Sequence, residues 1–402
     1  MLAARSPCTT LIVQRLKTPR VLHLLAPARH GGLESVVTML AAVQGASEAQ
    51  VAAVLVPDDV AEHPFLLRLQ QLGIRVATVV VPARKYRQEY RALSTLVGEV
   101  MPRIIHTHGY HADVLGGAIA RRLRIPVVST VHGFVGGSLR NRAYERIQLI
   151  SLRRADAVVA VSRPLVERLS RAGIAKQKIH FVANGYTQLV PAMTKEQARQ
   201  RLDLPVDGKI AGWIGRLSPE KGPDVILAAL AASKPVWHLS VIGDGKMRQE
   251  LQQRANALGV ADRIRWHGPL SDAGSLVPAF DALVLSSRTE GTPIVLFEAM
   301  HTSVPILATT VGGIPDVVSS LEAILVPPEQ PAQIANALDA LLTDSAAAKE
   351  RAANAKEKLV RSFGAERWLA AIEDVYRAAE ANSARKLGHV GRPPRAKPHT
   401  RR

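Results

Sequence analysis

The chain predicts an α/β protein made of two doubly wound domains that face each other across a cleft. Three observations carry this. Its 402 residues are too many for one compact core and suit two domains with tails. Short β-branched runs alternate with amphipathic stretches, the pattern of parallel strands wrapped by helices. That alternation runs twice, with a polar break near residues 183–209 between the two series.

In the first series RVLHLLAP (20–27) reads as a strand and HGGLESVVTMLAAV (30–43) as a glycine-rich turn opening a helix. QVAAVLVP (50–57) is a second strand and HPFLLRLQQLG (63–73) a helix. RVATVVVP, RIIHTHG and IPVVSTVHG (125–133) continue the strands. RNRAYERIQLISLRRA (140–155) is a helix, DAVVAVS (156–162) a strand, and RPLVERLSRAG a helix with proline at its start. ANGYTQ is a turn, and the domain boundary is placed at about residue 190. The second series has strands KIAGWIG (209–215), WHLSVIG, RIRWHG, DALVLSS and PILATTVGG, with helices MRQELQQRANALG and PIVLFEAMH. ERWLAAIEDVYRAAE (366–380) is a last amphipathic helix.

Two such Rossmann-like domains bind ligands at the carboxyl ends of their strands, so residues there are the candidates. GWIGRLSPEKG (212–222) places Arg216 and Lys221 either side of a proline turn before a helix. Two cations at one strand end suit a diphosphate, whose charge they offset as a leaving group departs. The same spacing would also suit two solvated surface cations. RTEGTPIVLFEAM (288–300) follows a buried strand, with Pro293 placed as the first residue of a helix. The amides of Ile294, Val295 and Leu296 would be donors at the positive end of the helix dipole. Glu298, about one turn deeper, could accept two hydrogen bonds from a ribose diol, and Glu290 would face whatever projects beyond the phosphates. One extended ligand answers both carboxylates: ribose, diphosphate, then a polar group such as a sugar. A capping-region glutamate and an exposed helix glutamate would also fit. In ARHGGLESVV (28–37), Gly31 and Gly32 would let backbone approach a phosphate or sugar closely. STVHGF (129–134) puts His132 at another strand end, a position open to either a structural or a catalytic role.

These motifs together resemble the retaining glycosyltransferases of family 4, which have the GT-B fold. The E-x7-E element Glu290–Glu298, GRLSPEKG, GGLE, STVHG, ADAVVAVS and VIGDG occur in that family's order, over roughly residues 20–380. The resemblance implies that Arg216 and Lys221 hold the donor diphosphate, Glu298 the ribose, and Glu290 the transferred sugar near its reacting carbon. It has Gly31, Gly32 and His132 reach across from the first domain. It implies transfer of a hexose or hexosamine from a nucleoside diphosphate sugar with retention of configuration. The acceptor expected is a glycan, lipid-linked, in bacterial surface polysaccharide synthesis. No cofactor is expected, and no metal: the sequence holds neither an Asp-x-Asp pair at a strand end nor a His/Cys/Asp cluster with ligand spacing. Departures are Thr187 after Asn184-Gly185-Tyr186, where the family has Asp; His301 and Ser303 ahead of Pro305; and Asp316 closing GGIPD.

The domain organisation expected is an extension (1–19), an acceptor-side domain (20–190) to which a helix at 365–384 returns, a donor domain (191–364) and a disordered basic tail (385–402). A single cysteine, Cys8, excludes an intrachain disulfide. No apolar run reaches the roughly 18–20 residues of a membrane span, and no export signal is visible, so the protein is read as cytoplasmic. That argues against an exported solute-binding protein. The net charge of +18 divides as +14 over residues 1–190, −3 over 191–384 and +7 over 385–402. A basic first half attracts anionic lipid, an anionic substrate or nucleic acid. Aromatics at 4% are too sparse for base-stacking platforms, so nucleic acid is not the expected partner. Two basic helical segments, 82–93 and 140–155, instead predict a peripheral protein of the inner membrane. Arg84, Arg87, Gln88 and Arg91 would share one face of the first, and Tyr144, Ile147 and Ile150 recur at three-residue spacing on the second. A nucleotide-sugar 2-epimerase on the same fold is the alternative within the class, and a basic nucleic-acid-binding protein the alternative outside it.

Overall fold

A computed structural model describes residues 10–12, 20–29, 31–60, 62–134, 139–233 and 237–390. The first sheet contains β1 (Thr10–Ile12), β2 (Val21–Leu25), β3 (Ala49–Leu55), β4 (Arg75–Val80), β5 (Ile104–His108), β6 (Val127–Val131), β7 (Ala157–Ala160) and β8 (Ile179–Phe181). Its order is β1-β4-β3-β2-β5-β6-β7-β8. The second contains β9 (Ile210–Ile214), β10 (His238–Ile242), β11 (Ile264–Gly268), β12 (Ala282–Leu285), β13 (Ile306–Thr309) and β14 (Ile324–Val326), in the order β11-β10-β9-β12-β13-β14. Every pairing is parallel except that of β1 with β4. In each sheet the order reverses beside the first parallel strand, between β2 and β5 and between β9 and β12, and such switch points open a crevice at the strand ends.

The strands follow from their composition. All five residues of β2, β5 and β6 are buried, as parallel strands covered on both faces require. The helices over them bury apolar residues, such as Val36, Val37, Met39, Leu40 and Ala41 of Gly32–Gln44, which is buried all round at its middle turn. Several helices that the periodicity did not single out are present, including Tyr110–Leu123 and Pro223–Ala232. Their buried faces are built largely from Ala and Gly, or are apolar nearly all round, so no clear amphipathic stripe marks them.

Four expectations are corrected. Thr10–Ile12, assigned to an extension outside the first domain, joins that domain's sheet as the antiparallel edge strand β1. The basic segment at 82–93 is not one helix: Arg84 has a left-handed φ of 65° and the helix starts at Tyr86, so Arg84 leaves the shared face and Arg87, Gln88 and Arg91 remain on it, exposed. Pro293 is the extended residue before its helix, which spans Ile294–Thr302. The last helix spans Ala365–Val390, past the expected end at 384; Lys386 Nζ bonds Asp156 Oδ1 at 2.5 Å. The rest of the tail and of the extension, with Cys8, lies outside the described residues.

That last helix packs on the first sheet. Arg20 pairs with Glu373 at 2.7 Å, and Asn382 Nδ2 donates to Asp156 O at 2.9 Å. The two domains also meet directly, through loops and helix ends beyond their strands. Thr292 Oγ1 donates to Val161 O, Asn184 Nδ2 donates to Thr292 O at 3.0 Å, and Asp316 accepts from the Arg163 amide at 2.8 Å. Asp316 and Asn184, both in motifs that depart from the family pattern, are thus contacts between the domains.

Candidate active site

The loop after β9 carries Arg216 and Lys221, and Arg288 fixes its shape. The Arg288 amide donates to Glu220 O at 2.8 Å, its Nη1 to Pro219 O at 2.7 Å, and its guanidinium fork to both oxygens of Asp224 at 2.8 and 2.7 Å. A planar bidentate pair of this kind holds orientation as well as charge. Arg216 keeps 57% of its side chain exposed, and among the described residues its only ion pair is a 4.0 Å contact to Glu220. Lys221 turns the other way. Its Nζ donates to both oxygens of Glu290, each at 2.7 Å, and Ser287 Oγ donates to Glu290 Oε1 at 2.7 Å. Glu290 is 6% exposed and Lys221 30%. Two residues read separately from the sequence therefore form one half-buried ion pair. Ser287 and Arg288, unremarked in the sequence, are what orient it; a serine beside a strand end gives no periodic signal.

Glu298 lies one turn into its helix, against the 3-10 turn Ala273–Ala279, where a Cβ on Gly274 would fall 2.3 Å from Glu298 Oε1. No described residue donates a hydrogen bond to its carboxylate, and burial pushes its pKa up to about 7. Tyr186 lies close enough for the Glu298 charge to add to the burial that raises its own phenol pKa, and it stacks on Phe297. Of the three helix amides, that of Leu296 bonds Pro293 O at 3.2 Å, whereas those of Ile294 and Val295 have no partner among the described residues. Two donors at the positive helix end remain.

From the first domain, Gly31 and Gly32 start the helix Gly32–Gln44 with no side-chain cap, and nothing lies within 4 Å of a Cβ placed on Gly32. Glu34 Oε1 accepts from the Ala28 amide at 2.7 Å. Burial raises the Glu34 pKa, and the charge of Arg216, from the other domain, partly offsets it, so the two strand ends sense each other across the crevice. His132 follows β6, and a Cβ on Gly291 would fall 2.1 Å from the His132 carbonyl oxygen. Only glycine permits this approach, which brings the Glu290 loop against His132.

His132 does not stand alone. Its Nε2 lies 3.2 Å from His108 Nδ1, and His108 Nε2 lies 3.1 Å from His23 Nδ1. His23 and His106 face each other in the β2–β5 register. His23, His106 and His108 bring ligand-capable nitrogens within 4.8 Å of one another. Two adjacent strands, β2 and β5, thus bring together three histidines that no stretch of sequence spaces like a metal site.

Two facing Rossmann-like domains, with cations, free helix amides and two glutamates at their switch points, define a glycosyltransferase of GT-B type. The chain belongs to the group 1 glycosyl transferases: residues 194–358 match that family, and residues 31–185 match the glycosyl transferase 4-like domain. It is 31% identical over 302 residues to the D-inositol 3-phosphate glycosyltransferase of Xylanimonas cellulosilytica, covering 69% of this chain and 72% of that one. It is 27% identical over 350 residues to the 2-deoxystreptamine N-acetyl-D-glucosaminyltransferase of Streptomyces fradiae, covering 78% and 83%. In fold it is similar to Anabaena HepE, whose crystal structure holds UDP and glucose, with a TM-score of 0.79 and 22% identity over 89% of this chain and 99% of that one.

Proposed function

We propose that the protein transfers a hexose or hexosamine from a nucleoside diphosphate sugar to a glycan acceptor, with retention of configuration and without a metal. The observation that carries this is Glu298: a half-buried carboxylate with no donor among the described residues, one turn inside a helix whose free amides open beside Lys221 and Glu290. A ribose diol would supply the missing donors. The Ile294 and Val295 amides and Arg216 would take the diphosphate, with Lys221 shared between it and Glu290. Glu290 and His132 would then meet the transferred sugar, while Gly32 leaves room for it from the first domain and Gly31 admits the Glu34 carboxylate beside it. The uridine diphosphate and glucose bound to HepE support a donor of this class.

A thermal-shift panel of nucleoside diphosphate sugars tests the reading. The right donor at a hundred times its Kd should stabilise the fold by about 2.7 kcal/mol, and transfer with that donor should survive EDTA. No shift with any nucleotide sugar, or activity lost in EDTA and restored by Mg²⁺ or Mn²⁺, counts against it. The anomeric configuration of the product tests retention.

The acceptor proposed is lipid-linked, for a bacterial surface polysaccharide, met at the inner membrane. On the helix Leu139–Arg154, Ile147 and Ile150 are 48% and 47% exposed, beside exposed Arg142 and Arg146. Arg87 and Arg91 are exposed on the helix Tyr86–Val100. Each cation near an anionic leaflet contributes about 1 kcal/mol at low salt. Among the described residues no helix is long and apolar enough to cross a membrane. Flotation with vesicles of graded anionic-lipid content should show binding that rises with lipid charge and falls with salt. Binding that is absent, or indifferent to both, removes the membrane part and leaves the transferase reading in place.

A further inference from the structure

The buried histidines form one directional hydrogen-bond chain, and Gln44 sets its direction. Gln44 Oε1 lies 2.6 Å from His23 Nε2. A carbonyl oxygen only accepts, so His23 carries its proton on Nε2. A neutral imidazole has one N–H, which leaves His23 Nδ1 an acceptor from His108 Nε2–H, 3.1 Å away. By the same step His108 Nδ1 accepts from His132 Nε2–H at 3.2 Å. At its other end Gln44 Nε2 donates to the Tyr376 oxygen at 3.0 Å. Tyr376 O–H is then free to donate to His106 Nδ1 at 2.9 Å, and His106 Nε2–H to Thr130 Oγ1 at 2.7 Å.

We propose that Gln44, Tyr376, His23 and His108 are positioning residues that hold His132 in the Nε2–H tautomer, so that its Nδ1 presents a lone pair to the cleft. His23, His106 and His108 are at most 2% exposed, while His132 is half-buried and its Nδ1 has no partner among the described residues. A ring held this way accepts a hydrogen bond from a hydroxyl of the bound sugar; this last step rests on the donor reading above. Burial keeps all four rings neutral by lowering their pKa values, to about 4 for His23 and His132. A metal among His23, His106 and His108 is the competing use of the cluster. Every nitrogen of the three already has a partner, and no described carboxylate contacts them to balance an ion's charge. Tyr376 sits on the helix Ala365–Val390, so the segment that closes the chain reaches the cleft through this relay.

The test is proton–nitrogen correlation NMR of the imidazoles in the full chain at neutral pH, with His132 assigned by its loss in His132→Gln. The wild type should show His132 protonated on Nε2. Tyr376→Phe keeps the ring but frees the Gln44 amide to turn over, and should add a His132 population protonated on Nδ1. It should also lower kcat several-fold with little change in donor KM, which loss of stability alone would not do. Gln44→Met, which fills similar space, should do the same. A wild-type His132 protonated on Nδ1, a tautomer unmoved in both variants, or a stoichiometric metal in the purified protein overturns the proposal. The tautomer is read without any substrate, so failure of the wild type to transfer any sugar would instead remove the transferase reading.

Discussion

Lys221→Met is expected to destabilise the protein by about 3 kcal/mol and to slow transfer on the order of a hundredfold or more. The two losses have one origin. Glu290 is 6% exposed, and Lys221 supplies two of its three hydrogen bonds. Removing the cation leaves an anion buried against Ser287 alone. The destabilisation falls at the low end of the range for a broken buried pair because Lys221 is still 30% exposed and Ser287 still donates. The double variant Lys221→Met with Glu290→Gln removes both charges. It should recover most of the stability in urea unfolding while remaining inactive, since neither the cation for the diphosphate nor the carboxylate for the sugar is restored. A single variant as stable as the wild type would show that the ion pair contributes nothing to the fold. A double variant that regains transfer would place the chemistry elsewhere.

Acidification from pH 6.5 towards 4.5 is expected to destabilise the protein progressively. His23, His106, His108 and His132 have folded pKa values below their ordinary 6.5, because burial disfavours the charged ring. Between about 4 and 6.5 the unfolded chain therefore binds protons that the folded chain refuses, and stability must rise with pH. Asp113 and Glu298 act in the opposite sense. Burial raises them to about 6 and about 7, and raises Glu34 as well, so the folded state holds these protons and loses that advantage as pH rises. Four imidazoles outnumber the three raised carboxyls, so the unfolded chain holds more protons near pH 5. Urea unfolding across this window measures the slope. His132→Gln should flatten it, and a stability that climbs as pH falls would mean that the rings are charged in the native protein.

The sequence made the second domain's site more legible than the first's. Arg216, Lys221 and Glu290 are charged residues beside glycine at the ends of apolar strands, and Glu298 is a charge inside an apolar helix; a charge at such a position stands out from the core pattern around it. The alternation of strands and helices showed the two-sheet architecture for the same reason: period and composition are local. Helices built on alanine and glycine stayed hidden because their packing surface is small rather than striped, as in Tyr110–Leu123 with Ala112, Gly116 and Ala120 buried.

What the sequence determined by itself was the fold class, the strand ends and the charged groups placed on them, because each depends on residues a few positions apart. Only the tertiary structure decided which of them touch. Lys221 and Glu290 are 69 residues apart and share two hydrogen bonds. Gln44 and Tyr376 are 332 apart and hold one chain of histidines between them. RVLHLLAP and RIIHTHG each read as ordinary strands with histidines in them. Parallel pairing sets His23 opposite His106 in register and His108 beyond it, and a helix returning from the far end of the chain covers that face. Burial then removes the water that would have satisfied each ring, so the nitrogens can be satisfied only by one another and by the groups packed over them.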